Sequence, residues 1–300
     1  MNTYAIAALS VLTLALAGQA SAQQVDFSKV EVKTTDLGHN TYMLEGAGGN
    51  VTLAVGGDGA IMVDTQFAPM HEKLKAAIAR LTNQPVRYVV NTHFHGDHTG
   101  GDAGFAKEGT VVVANVNVKK RLAAGTVNGL TGARTEALSG DALPAKTYTS
   151  STELKVKGRT ARLGHIANAH TDGDTYVWFK DADVLSTGDI VTVGRYPNID
   201  FANGGNIKGM IAGVDTYLKL ADDKTKIVPG HGPAIDKSAL KTYHAMLVTA
   251  RDRMAKLVKA GKSEQEVIAA KPFADFDAKL NATEQQSTNF IRVVYHSLKA

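Results

Sequence analysis

Over residues 29–34 (KVEVKT), 41–44, 50–55 and 60–63, apolar positions alternate with polar ones or run unbroken between glycine-rich turns such as Gly56-Gly57-Asp58-Gly59. That pattern predicts a meander of strands. Between residues 69 and 81 the period changes: Leu74, Ala77, Ile78 and Leu81 recur at helical spacing opposite Lys73, Lys75 and Arg80, with Pro69 near the start. An amphipathic helix lying on a sheet is expected there. The run 86–92 (VRYVVNT) reads as a buried strand, 100–109 as a short helix and 110–114 as the next strand. Further strands are expected over 159–163, 175–179, 184–187 and 226–228, and the alternation of strands with helices argues for layered α/β packing. The last third reads as helical. Asp236 can cap a helix with the stripe Leu240, Tyr243, Leu247, Met254 and Leu257 that ends at Gly261, and Ser263-x-x-Glu266 and Thr283-x-x-Gln286 are capping boxes for two more.

The first 22 residues stand apart from this pattern. An apolar run over 5–18 precedes Ala20-Ser21-Ala22, the layout of a secretory signal peptide with its cleavage site, although no Lys or Arg precedes the run. The sequence therefore predicts an exported chain, periplasmic or secreted, with residues 23–300 forming one domain that keeps no stable membrane association after cleavage. The chain has no cysteine, which excludes disulfides and thiolate ligands. Its 33 basic and 29 acidic residues leave a net charge of +4 with no basic block, too diffuse for a nucleic-acid partner, and point to a small-molecule substrate.

One segment concentrates chemistry. His93-Phe94-His95-Gly96-Asp97-His98 sets three imidazoles and a carboxylate in six residues, on the loop leaving the 86–92 strand. These are ligand types that zinc prefers in sites that hold water. Extended residues two apart point the same way, so His93 and His95 can share one ion, while a turn begun at Gly96 can aim Asp97 and His98 at a second. More ligands are then required at the ends of later strands. His170 in AHTDGD, Asp189 in STGD and His231 in PGHG meet that requirement, each beside a glycine that permits a tight turn.

The motifs HFHGDH, AHTDGD, STGD and PGHG, in this order and at these separations, resemble the metal-binding motifs of the metallo-β-lactamase superfamily over about residues 50–233. The resemblance implies a four-layer αβ/βα sandwich with a dinuclear zinc site at one edge of two facing sheets. It implies that one ion takes His93, His95 and His170 and the other Asp97, His98 and His231, with Asp189 bridging or close to the second. Asp64, in the segment MVDT, matches the family residue that supports the metal loop without ligating.

Position 189 refines the expectation. The B1 β-lactamases of this superfamily carry Cys there, whereas Asp, present in this chain, resembles glyoxalase II and many general hydrolases. His95, where flavodiiron proteins usually have Glu, favours zinc hydrolysis, with Asp97 orienting the nucleophile. The sequence thus predicts a two-zinc hydrolase acting through a metal-bridging hydroxide on a cyclic amide or ester, β-lactams first, then lactones and thioesters. An iron-dependent persulfide oxidoreductase and a zinc protein that binds a ligand without turnover are the readings from other classes. The Gly- and Asn-rich segment 195–208 is expected to be a loop facing substrate, with Tyr196, Asn206 and Lys208 as candidate contacts.

Overall fold

The computed structural model describes residues 25–299, so the signal-peptide reading of residues 1–22 lies outside the described residues. Two sheets carry the fold. The first half supplies β1 (Lys33–Gly38), β2 (Thr41–Glu45), β3 (Val51–Val55), β4 (Ala60–Val63), helix α1 (His71–Ala79), β5 (Val86–Val90), α2 (Gly96–Thr99), α3 (Asp102–Lys107), β6 (Val111–Asn115) and α4 (Val116–Ala124). A short ribbon of β7 (Thr126–Val127) and β8 (Arg134–Thr135) follows, then β9 (Lys146–Tyr148). The second half supplies β10 (Ser151–Val156), β11 (Arg159–His165), β12 (Thr175–Phe179), β13 (Val184–Ser186), α5 (Ile207–Leu220), β14 (Lys226–Val228), α6 (Lys237–Lys259), α7 (Glu264–Ala269), α8 (Ala274–Leu280) and α9 (Glu284–Lys299).

The seven-stranded sheet runs β1-β2-β3-β4-β5-β6-β9 and the five-stranded sheet β10-β11-β12-β13-β14. Both begin as antiparallel meanders and end in parallel pairs, β4 with β5, β5 with β6 and β6 with β9 in one, β13 with β14 in the other. A parallel neighbour requires a crossover, which α1 supplies from β4 to β5, α2 and α3 from β5 to β6, the α4 segment from β6 to β9, and α5 from β13 to β14. The strand period of two sorts the core. Ile61, Val63, Val90 and Val113 meet Leu163, Val177, Phe179 and Val184 between the sheets, while their neighbours Ala60, Met62, Val89 and Val112 pack under Leu74, Ala77 and Ile78 of α1. On the far side, Leu185 and Ile227 pack against Met210, Val214, Leu247 and Val294 of the C-terminal helices. Four layers result, and strands buried on both faces explain why runs such as 86–90 are apolar rather than alternating.

Two expectations change. Residues 29–34 do not form a strand from Lys29. Asp26 caps a 3-10 turn over Phe27–Lys29, and Lys73 Nζ donates at 2.7 Å to each of the carbonyls of Phe27, Ser28 and Val30, so these oxygens meet a side chain before pairing starts at Lys33. The 195–208 segment is shorter as a loop than its composition suggests, because Asn206 is the N-cap of α5 and accepts from Lys208 N–H. Among the described residues, no helix is long and apolar enough to cross a membrane. Both predicted capping boxes form, Ser263 with Glu266 and Thr283 with Gln286.

Phe179 is fully buried between the sheets, whereas Leu138 is 39% exposed. Phe179→Ala is expected to lower stability by about 3–5 kcal/mol and Leu138→Ala by no more than about 0.5 kcal/mol, measured as urea midpoints.

Candidate metal centre

All seven predicted ligands converge at one edge of the two sheets. His93 and His95 come from the loop after β5, Asp97 and His98 from the short helix α2 that follows it, and the others from the segments after β11, β13 and β14, at the ends of strands in both sheets. Donor atoms of His93, His95 and His170 lie within 4.8 Å of one another, as do those of Asp97, His98 and His231, and those of His93, His98 and Asp189. Asp189 spans the two groups. Its Oδ1 is 3.3 Å from His98 Nε2 and 3.4 Å from His231 Nε2, and its Oδ2 is 3.9 Å from His170 Nε2.

The outward nitrogen of each ring in the first group is fixed by an acceptor, which determines the nitrogen left facing inward. His170 Nδ1 faces the Asn198 carbonyl at 2.9 Å, and His95 Nε2 faces Asp200 Oδ2 at 3.0 Å. Thr92 Oγ1 gives its proton to Asp64 Oδ2 at 2.7 Å and therefore accepts from His93 Nδ1 at 3.0 Å. Three lone pairs are thereby turned inward. His95 Nδ1 and His170 Nε2 stand 2.9 Å apart, and His93 Nε2 is buried with no hydrogen-bond partner. Unshared lone pairs facing one another repel unless a cation lies among them, so this donor set fits a metal ion.

Electrostatics divide the cluster. Burial and the neighbouring imidazoles push His93 well below the usual histidine range and His170 down to about 4, which leaves both neutral and able to ligate. Burial also opposes a charge on His98 and His231, but the carboxylates of Asp189, Asp64 and Asp97 outweigh it for His98, and Asp189 and Asp97 do so for His231; both are raised. Burial would raise Asp97, yet His98 and His231 hold it at about 2. Carboxylates gathered around two imidazoles make a pocket that favours a cation.

Asp64 adopts φ 63° and is buried; its Oδ1 accepts from Thr92 N–H at 2.7 Å, and its Oδ2 from His98 Nδ1 at 2.7 Å. The loop packs too closely for side chains at two glycines: a Cβ on Gly49 would come within 2.1 Å of His98, and one on Gly230 within 1.9 Å of Asp189 Oδ1. Asn50 ties the two halves together, donating through Nδ2 to the carbonyls of Pro229 at 2.9 Å and Gly232 at 2.7 Å.

A cleft of about 380 Å³ opens over His95, Asp97, Asp189 and His231, with Arg195, Tyr196 and Phe290 among its walls. Tyr196 lines it, but its ring stacks on Phe290 at 4.3 Å and its hydroxyl donates to Asp277 at 2.6 Å. Neither Asn206 nor Lys208 is among the lining residues: the Asn206 amide donates to the Ser297 carbonyl at 2.6 Å while capping α5, and Lys208 is exposed on that helix. The motif search missed Asp200, which orients His95. Burial works against its charge, but hydrogen bonds from His95 and Asn203 hold it below the usual carboxylate range. The available signal was that Asp200 is the lone acid of the segment 195–208.

A family model described as the metallo-beta-lactamase superfamily matches residues 44–231. The chain belongs to the metallo-beta-lactamase superfamily. It is 26% identical over 78% of its length to a beta-lactamase-like protein 2 homolog of Caenorhabditis elegans, of which 72% is matched. A hydroxyacylglutathione hydrolase of Polaromonas is 27% identical over 54% of this chain and 55% of its own length. A metallo-beta-lactamase from Pontibacter korlensis superposes with a TM-score of 0.58 over 72% of this chain and 99% of its own, at 19% identity, which shows a shared fold. The predicted αβ/βα sandwich is thus the observed fold, and the coarse activity is that of a metallo-hydrolase of this superfamily.

Two expected outcomes follow from the ring partners. Asp64→Asn and Asp200→Asn should each weaken zinc affinity by about 10–100-fold, read by competition with a chromogenic chelator, without loss of the folded circular-dichroism spectrum. Beneath the metal loop, Asp102 accepts from Thr65 Oγ1 at 2.8 Å and Asn91 Nδ2 at 3.1 Å, and burial still pushes it up to about 8. A carboxyl kept neutral when folded but ionised when unfolded lowers stability as pH rises from about 4 to about 8. Asp102→Asn should therefore gain stability relative to the parent between pH 5 and pH 8, measured by urea midpoints; a pH-independent difference would refute the assignment.

Proposed function

We propose that this chain is an exported two-zinc hydrolase that opens a small cyclic amide or ester, with β-lactams as the first substrate class. The observation that carries the reading is Asp189, whose two oxygens reach the His98/His231 group and His170. A thiol-free set of imidazoles and carboxylates with one side open to a cleft favours zinc in a catalytic rather than a sealed structural role. Zinc held by these residues would supply a hydroxide near neutral pH and a Lewis acid for a carbonyl oxygen.

The residues of the chain do the rest. His93, His95 and His170 would hold one ion, Asp97, His98 and His231 the other, and Asp189 would sit between them. Asp97 is ionised at neutral pH and its side chain is 26% exposed at the cleft, so it accepts a hydrogen bond from the attacking water and fixes its direction. Asp64 and Asp200 hold His98 and His95 in the ring orientations that keep their inner nitrogens free. The walls formed by Tyr196 and Phe290 exclude bulk water on one side. The signal-peptide pattern of residues 1–22 supports this reading, since an exported enzyme would meet β-lactams where they act.

A second reading, hydrolysis of thioesters or lactones, is favoured by Asp rather than Cys at position 189 and by the similarity to a hydroxyacylglutathione hydrolase. A panel of a chromogenic cephalosporin, a lactone and a thioester on zinc-loaded protein separates the two. Turnover of the cephalosporin, lost with chelator and reduced at least about a thousandfold in His95→Ala, is the expected result. Full turnover by metal-free protein would overturn the mechanism, and thioester turnover alone would replace the substrate class.

A further inference from the structure

A second depression adjoins the metal cleft and has a different character. It lies between α6, α8 and the 192–195 segment, holds about 440 Å³, and is lined by Ile235, Tyr243, Met246, Phe276 and Leu280, with Arg195 and Lys279 also on its walls. Thr192 and Arg195 line both depressions, so the two share a wall. Thr192 is 3% exposed and packs beside the Tyr243 hydroxyl at this junction. Among the described residues, Arg195 is exposed and has no carboxylate within ion-pair distance, although ion pairs are frequent elsewhere on this surface. An apolar trough and a guanidinium with no carboxylate partner thus lie side by side next to the candidate metal ligands.

We propose that this trough seats an apolar part of the substrate, and that the substrate is an anionic amphiphile. Its hydrolysable group lies over Asp97 and Asp189, its anionic group meets Arg195 at the junction, and its alkyl or aryl tail runs along Tyr243, Met246 and Phe276. This inference rests on the hydrolase reading and narrows its substrate class. Charge complementarity at Arg195 and the wall shared with the metal cleft favour such a molecule over a second copy of the chain, which carries a net charge of +4.

The test is calorimetric and needs no turnover. Straight-chain alkanoates from butanoate to dodecanoate, and alkanols of the same lengths, are titrated into zinc-loaded full-length protein. Each methylene that enters the trough should tighten binding about threefold to fourfold until the trough is full. Arg195→Gln should weaken the alkanoates roughly tenfold at every length and leave the alkanols unchanged. Ala239→Trp, and Thr242→Trp at a more exposed position on the same wall, should flatten the dependence on chain length for both series while retaining the full zinc content.

Affinity that does not change with chain length in the parent protein would overturn the proposal, as would self-association that Thr242→Trp abolishes. Indifference of the alkanoates to Arg195→Gln would remove the anionic group from it. The outcomes are separable from the hydrolase reading: a flat chain-length series with turnover intact defeats only this inference, and a steep series with no turnover of any ester or amide defeats only that reading.

Discussion

The carboxylate of Asp64 is the constraint on which the site depends. It accepts from a backbone N–H, a hydroxyl and an imidazole, all contributed by the β5–α2 segment, and through Thr92 and His98 it orients one histidine of each ligand group. A single buried anion satisfied in this way is stable only because every proton aimed at it is accounted for. The left-handed backbone at Asp64 is the conformational cost of bringing its side chain under the loop, and tight packing around it keeps the residue there.

The sheets explain why the ligands meet. Each half ends in parallel strands, and parallel strands deliver their outgoing loops to the same edge. The β5–α2 loop arrives from one sheet and the Asp189 and His231 loops from the other, with the inter-sheet apolar layer setting their separation. The C-terminal helices then close one wall of the cleft, so the same elements that bury the outer face of the second sheet also shape the approach to the candidate metal centre.

Much of this was legible in the chain. The residues that converge at the candidate centre were picked out by residue type at fixed spacing, and strand and helix periods placed β2 to β6, β11 to β14, α1 and the C-terminal helices close to their observed positions. Three of the departures share a cause. The strand expected from Lys29 was displaced by Lys73, 44 residues on from that position and capturing the Phe27 carbonyl across a separation of 46, and Asn206 was drawn from substrate duty by Ser297, at a separation of 91. Asp200 was invisible for the same reason, since its partner His95 lies 105 residues away. Local pattern reports what a residue is able to do; long-range hydrogen bonds decide which use is taken.

Apolar layers are held by contacts that have no preferred direction, and two sheets packed only in that way can settle at neighbouring offsets. Near the site the offset is set otherwise. Asn50 places both protons of its amide on carbonyls of the 229–232 turn, its own N–H bonds Gly230 O at 2.7 Å, and Thr175 N–H bonds Thr92 O at 2.8 Å. These directional pins fix where one sheet stops sliding over the other. The accuracy with which His231 faces His98 is therefore a property of a neutral side chain that touches neither imidazole ring's inner nitrogen, and the alignment of the two halves is determined by amide geometry rather than by the hydrophobic core.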